Sequence, residues 1–237
     1  MIADVAAQLR DFAARATDAS GYFPALYSKV TDQVAAAIDH HGFTSNDRMD
    51  HFATTFAGWY LRPRSGEQPV PGCWEAAFSV AGDPRLLIVQ HLLLGINAHV
   101  NHDLPQVVVG LADEAGDLQS IRGDFDRIND ILATTQTAVL KELGGVAGWV
   151  NLAATAGGGR AFHFSLDVAR SQAWGAATRL WPLDAAGRRA YVAELDRLVC
   201  VLAYLITRPM FPLSLAVPIL RRTEQRDPRK VTAALLQ

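Results

Sequence analysis

Cysteine is scarce. The 237 residues contain two, Cys73 and Cys200, far apart and in no metal-ligand spacing. That excludes a disulfide framework and a cysteine-based zinc module, and it leaves a pair of buried thiols in a protein expected to be cytoplasmic. Charge is scarce too: 19% of residues are charged and the net charge is −2. No basic block or tail stands out, so neither nucleic acid nor a membrane is an expected partner. The apolar runs "PRLLIVQHLLLGINA" and "LVCVLAYLIT" are too short or too interrupted to span a bilayer. The N-terminus lacks the basic region and apolar run of a signal peptide. Also missing are a glycine-rich phosphate loop, Gly-x-Ser-x-Gly, His-Glu-x-x-His and Cys-x-x-Cys. No stretch alternates apolar and polar residues as a half-buried strand would.

What is present is helical. Half of the residues are hydrophobic, enough for a sizeable core. Apolar positions recur at helical spacing over 3–16, 24–40, 45–61, 73–81, 84–103, 117–143, 160–181, 185–207, 213–225 and 228–236. Ser45 suits an N-cap, with Asp47 in the first turn behind it. Asp83 and Pro84 open the helix 84–103, and Pro105 limits it. Pro218 is positioned to kink the helix 213–225. "RPRSGEQPVPG" at 62–72 is a long loop that suggests a lid or wall. The stretch containing "GGGR" at 157–160 is irregular, and a flexible linker explains it better than an anion site. The apolar faces run on across it. The expected fold is therefore all-α, a single-domain multi-helix bundle over 1–237, with helices 84–103 and 117–143 packed side by side.

One polar cluster interrupts this pattern. "HLLLGINAHVNHDLP" at 91–105 begins as an apolar helix and then fills with histidine, asparagine and aspartate. His99 and Asp103 stand one turn apart on the same face. Imidazole and carboxylate at that spacing can share a metal ion or form an acid–base pair. A metal needs a third ligand. "DFDRINDIL" offers one, since Asp126, Asn129 and Asp130 form a stripe beside the apolar face. Asp47 and His51 repeat the spacing, but the first-turn position accounts for Asp47. The two Glu-xxx-His-like motifs of a di-iron bundle are absent. His102 reads as the exposed end of its helix. His163, Asp167 and Arg170 share a face with Trp174 and suggest a pocket wall; Trp59 and Trp74 flank the proline-rich loop.

"NDRMDHF", "QHLLLGINAHVNHDLP" and "DFDRIND" together resemble the bacterial family of unknown function DUF5995, over roughly residues 20–210. The resemblance implies no particular chemistry. It directs attention to His91, Asn97, His99, Asp103, Asp126, Asn129 and Asp130, which sit inside the matching segments. An apolar residue is expected in that family where His102 stands.

These readings converge on a small-molecule enzyme. His99, Asp103, Asp126 and Asp130 are the candidate catalytic residues. His91, Asn97, Asn129, Trp59, Trp74 and Trp174 are the candidate substrate contacts. His99, Asp103 and Asp126 are candidate ligands of a divalent metal, with no cofactor assigned. The expected partner is a neutral or apolar small molecule, undergoing hydrolysis, elimination, isomerisation or cyclisation. The alternative is a ligand-binding or scaffolding protein whose polar cluster fixes helix register.

Overall fold

Frequent alanine and leucine, with apolar side chains at i, i+3 and i+4, make the α-helix the favoured way to pair backbone N–H and C=O groups while burying one face. The computed structural model describes residues 1–67, 69–153 and 159–237; side chains are described except at 133, 134, 136–138, 152, 153 and 159–165. His163 and the "GGGR" segment therefore lie outside the fully described residues. Among the described residues the chain is all-α, with no strand and one isolated bridge between Ala147 and Glu224. In chain order the helices are α1 (Ile2–Arg15), α2 (Tyr22–Asp39), α3 (Asn46–Arg64), α4 (Gly72–Ser79), α5 (Ile88–Ile96), α6 (Leu104–Ala115), α7 (Arg122–Val146), α8 (Gly148–Ala153), α9 (Gly159–Leu180), α10 (Ala185–Thr207), α11 (Leu213–Arg221) and α12 (Pro228–Leu235). Among the described residues no helix is long and apolar enough to cross a membrane.

Several boundaries follow from caps. Ser45 accepts from the Arg48 N–H at 3.4 Å and opens α3, as expected from the sequence. Asp124, buried on α7, accepts from the Thr44 and Ser45 N–H groups at 2.7 and 3.3 Å and from Arg48 Nη2 at 3.0 Å. It thereby ties the start of α3 to α7. The Leu87 N–H donates to Gln90 Oε1 and the Ile88 N–H to Glu224 Oε2, so α5 starts later than the proline at 84 suggests.

The helix expected over 84–103 departs most from a plain α-helix. Residues Asn97–Asp103 form a π-helical segment between α5 and α6, and the Leu104 N–H donates to His99 O, five residues back. Pro105 does not end the helix; it falls in the first turn of α6. A proline inside a regular helix removes a hydrogen bond and clashes with the carbonyl four residues before it. The wider π turn accommodates that residue and lets the helical path continue. Further along, α3 runs through Pro63 to Arg64, which leaves a shorter loop than 62–72. None of the described residues of 62–72 lines the apolar cavity beside α2, contrary to the expected lid or wall.

α2 occupies the middle of the bundle and packs on α1, α3, α5, α7 and α12. Three apolar clusters surround it: one around α3, α6, α7 and α9, one under α12, and one between α1, α4 and α10. The expected side-by-side packing of helices 84–103 and 117–143 is not what forms. α2 packs against both α5 and α7, and a cavity separates the π segment from α7. α5 meets α2 at Gly95, where an added Cβ would lie 2.5 Å from the Phe23 ring. In a helix interior alanine is ordinarily favoured over glycine by about 1 kcal/mol. Here the clash outweighs that gain. Gly95→Ala is expected to destabilise the protein by about 1–3 kcal/mol in denaturant unfolding; unchanged or increased stability would contradict this packing.

Candidate functional site

The π segment, α2, α3, α4 and α10 converge on Asp103, which is fully buried. A buried carboxylate needs donors, because it has lost its water. Asp103 has three. Trp74 Nε1 donates to Oδ2 at 2.9 Å, His99 Nδ1 faces the same oxygen at 3.0 Å, and His102 Nδ1 faces Oδ1 at 2.8 Å. A carboxylate only accepts, so each imidazole carries its proton on Nδ1 and its lone pair on Nε2.

The two lone pairs have different surroundings. His99 Nε2 is buried and has no hydrogen-bond partner among the described residues. Its ring lies flat on Phe56, with centroids 3.7 Å apart and 7° between planes, and meets Tyr27 edge-on at 4.7 Å. Burial holds the His99 imidazole below its usual pKa, opposed by the hydrogen bond and charge of Asp103. Burial also pushes the Tyr27 hydroxyl well up, and Asp103 adds to the shift. At neutral pH this leaves an uncharged imidazole and an unionised phenol. His102 is itself buried, not the exposed helix end its position suggests. The Gln106 amide donates to the His102 carbonyl at 2.9 Å and stands 3.4 Å from His102 Nε2.

His99 forms part of the wall of a cavity of ≈ 130 Å³, bounded by α2, α3, the end of α5, the π segment, α7 and α9. Phe23, Leu26, Val30, Phe52, Phe56 and Ile128 make most of the wall apolar. Arg170 also lines it. That side chain is buried; its Nε donates to Asn129 Oδ1 and its Nη2 to the Phe125 carbonyl at 2.8 Å, while the guanidinium lies 4.3 Å over the Phe125 ring. Desolvation lowers Arg170 to about 10, with Asp126 and Asp167 opposing, so it is cationic at neutral pH. Among the described residues the wall thus combines an imidazole and a fixed positive charge with mostly apolar side chains and the hydroxyl residues Tyr27, Thr31 and Thr135.

The structure brings some of the sequence candidates together and separates others. His99, Asp103 and Trp74 meet. Asp126 does not join them: it pairs with Arg122 at 2.7 Å, with about 44% of its side chain exposed. Asp130 pairs with Arg127 at 2.8 Å and is 68% exposed. Both carboxylates gain more from water and an adjacent arginine on the outer face of α7 than from an apolar interior. The proposed metal set His99, Asp103 and Asp126 is therefore not assembled. Asn129 reaches the cavity only by holding Arg170. Asn97 is committed to the Val199 carbonyl at 3.0 Å and to Asn101 at 2.9 Å. His91 packs edge-on against Tyr22 at the other end of α5 and lines no part of the cavity. Trp59 packs against the α3–α6 core, and Trp174 lies between Phe125 and Arg122, so neither lines the cavity. Asp47 occupies the first turn of α3, and His51 faces Glu114 at the surface.

Other contributors carry no spacing signal. Tyr27 and Phe56 read as ordinary core residues. On α10, Asp196 accepts from the Gly72 and Cys73 N–H groups at 3.0 and 2.9 Å and so caps α4. It lies beside the Cys73 thiol, which burial pushes up.

The fold and this site define a class: an all-α protein with an apolar cavity beside a buried aspartate–histidine pair. The chain belongs to the family of unknown function DUF5995, whose model matches residues 2–209. That match includes α1 and ends after α10. No curated protein and no solved structure matches the chain.

These placements predict unequal responses to loss of charge. Asp103→Asn puts an amide where three donors converge and is expected to cost about 2–4 kcal/mol of folding stability. Asp126→Asn and Asp130→Asn should each change stability by less than about 0.5–1 kcal/mol. Equal effects of all three in urea unfolding would contradict the buried and exposed placements.

Proposed function

We propose that the protein binds a neutral or apolar small molecule in the cavity and acts on it by proton transfer, with His99 Nε2 as the general base. The observation that carries this reading is the orphaned Nε2 of a histidine that forms part of the cavity wall. A buried polar atom without a partner ordinarily costs about 1–3 kcal/mol. A ligand hydrogen would satisfy it. Asp103 acts as the positioning residue: it fixes the Nδ1–H tautomer, and its charge stabilises the imidazolium formed when Nε2 takes a proton. Arg170 supplies positive charge to the same cavity, suited to negative charge developing on the substrate.

Size restricts the ligand. An apolar cavity of roughly 150 Å³ holds a benzene ring. The cavity here is ≈ 130 Å³, the scale of one ring or a short branched chain, and anything larger requires the walls to move. Proton abstraction at such a substrate leads to elimination or isomerisation. The threonine hydroxyls in the wall, Thr31 and Thr135, each donate to a helix carbonyl, at Tyr27 and Ile131, and neither is hydrogen-bonded to His99.

Bromoacetone, a small electrophile of the size the cavity admits, tests the reading through the nucleophilicity of the same lone pair. Peptide mass spectrometry is expected to find His99 alkylated at Nε2, with benzene protecting it and raising the melting temperature. The cavity-filling variant Ala53→Phe should block both effects while remaining helical. Labelling of the surface residues His40, His41 and His51 but not His99, with no thermal shift from benzene, would instead support the scaffold in which the polar cluster fixes helix register.

A further inference from the structure

We propose that Cys73, His102 and Asp196 form a binding site for a single late divalent metal ion of the zinc class. The three come from different elements: Cys73 from the first turn of α4, His102 from the π segment and Asp196 from α10. One ligand atom of each lies within 4.8 Å of the other two. None of the three lines the cavity, so the inference stands independently of the proposed function.

The donor set is thiolate sulfur, imidazole nitrogen and carboxylate oxygen. Zinc accepts all three, at about 2.0–2.3 Å. Calcium and magnesium prefer oxygen alone. Tetrahedral ligands at those bond lengths stand about 3.5 Å apart, so the side chains need close by little more than an ångström. Three protein ligands leave a fourth position for water. Cys73 and His102 are buried, whereas Asp196 is only partly buried and gives the ion a route from solvent.

The surroundings already have the form of a metal site's outer shell. A metal-bound histidine ordinarily donates its other ring N–H to a carboxylate, which fixes the tautomer and raises ligand basicity. His102 Nδ1 faces Asp103 Oδ1 at 2.8 Å, which leaves the Nε2 lone pair for a metal that displaces the Gln106 amide, 3.4 Å away. The Gly72 and Cys73 N–H groups hold the Asp196 carboxylate, one on each oxygen, and each oxygen keeps a second lone pair. Cys73 sits at the N-terminal end of α4, and without a cation, burial and the neighbouring Asp196 and Asp103 carboxylates keep it a thiol. Binding releases the thiol proton to solvent. Cys200 stands one turn after Asp196 on α10 but falls outside the set of three.

Cobalt(II) is the spectroscopic probe. The full-length protein, stripped with chelator and dialysed under reducing conditions, should bind one equivalent of Co²⁺. A near-ultraviolet thiolate charge-transfer band should appear and be removed by one equivalent of Zn²⁺. Cys73→Ser should abolish the band, and His102→Gln and Asp196→Asn should each weaken affinity by at least about tenfold. Cys200→Ser should leave the spectrum unchanged. If Cys73→Ser does not fold, the wild-type band combined with its persistence in Cys200→Ser assigns the sulfur to Cys73. No charge-transfer band in the wild type with excess Co²⁺, or a band lost in Cys200→Ser, would overturn the proposal. So would an affinity unaltered by His102→Gln and Asp196→Asn.

Discussion

Burying the Asp103 carboxylate is the constraint on which the site depends. An isolated carboxylate in an apolar interior is unfavourable by many kcal/mol, and only a full set of donors makes the position tenable. Trp74 supplies one from α4, and His99 and His102 supply the others from the π segment. Adjacent residues on a regular α-helix point about 100° apart. Even so, residues 99, 102 and 103 share one hydrogen-bond cluster, in a segment where the helix has widened. The widening falls where Pro105 enters the next helix. Backbone geometry and side-chain chemistry are thus linked at a single turn.

The same carboxylate determines which nitrogen of each histidine is available. Because both Nδ1 atoms are turned toward Asp103, both Nε2 atoms carry lone pairs into other environments. One belongs to a residue in the wall of the cavity that Arg170 also lines; the other stands 3.4 Å from the Gln106 amide, on a ring close to the thiol of α4 and the carboxylate of α10. The two environments suit different chemistry. An apolar wall with one base and one cation suits proton transfer from a small substrate, whereas sulfur, nitrogen and oxygen donors within a few ångströms of one another suit a soft or borderline cation. Asp103 is the outer-shell partner for both.

The helical class and most helix boundaries were legible because apolar periodicity is a local property of the chain. Ser45 as a cap, the His99–Asp103 pair and the placing of α9, α10 and α12 all follow from neighbours within a turn or two. What failed was long-range. Asp126 and Asp130 share a stripe on α7, but sequence spacing does not reveal that the stripe faces water beside Arg122 and Arg127. His102 at the end of an apolar helix looks exposed until α4 and α10 cover it. Cys73 and Asp196 are 123 residues apart and meet only through tertiary packing. The π segment was hidden for a related reason: Pro105 signals a break, and only the structure shows that a widened turn absorbs it.

The central claim is that His99 is a neutral imidazole with its proton on Nδ1 and a bare Nε2. Proton–nitrogen NMR correlation on protein labelled with ¹⁵N-histidine reads this directly. The account predicts that at neutral pH the His99 Nδ1 resonance shows a bonded proton and the Nε2 resonance shows none. It also predicts that the ring stays neutral as the pH falls through the ordinary imidazole value of about 6.5. A proton on Nε2, or an imidazolium already formed at pH 7, would contradict the account.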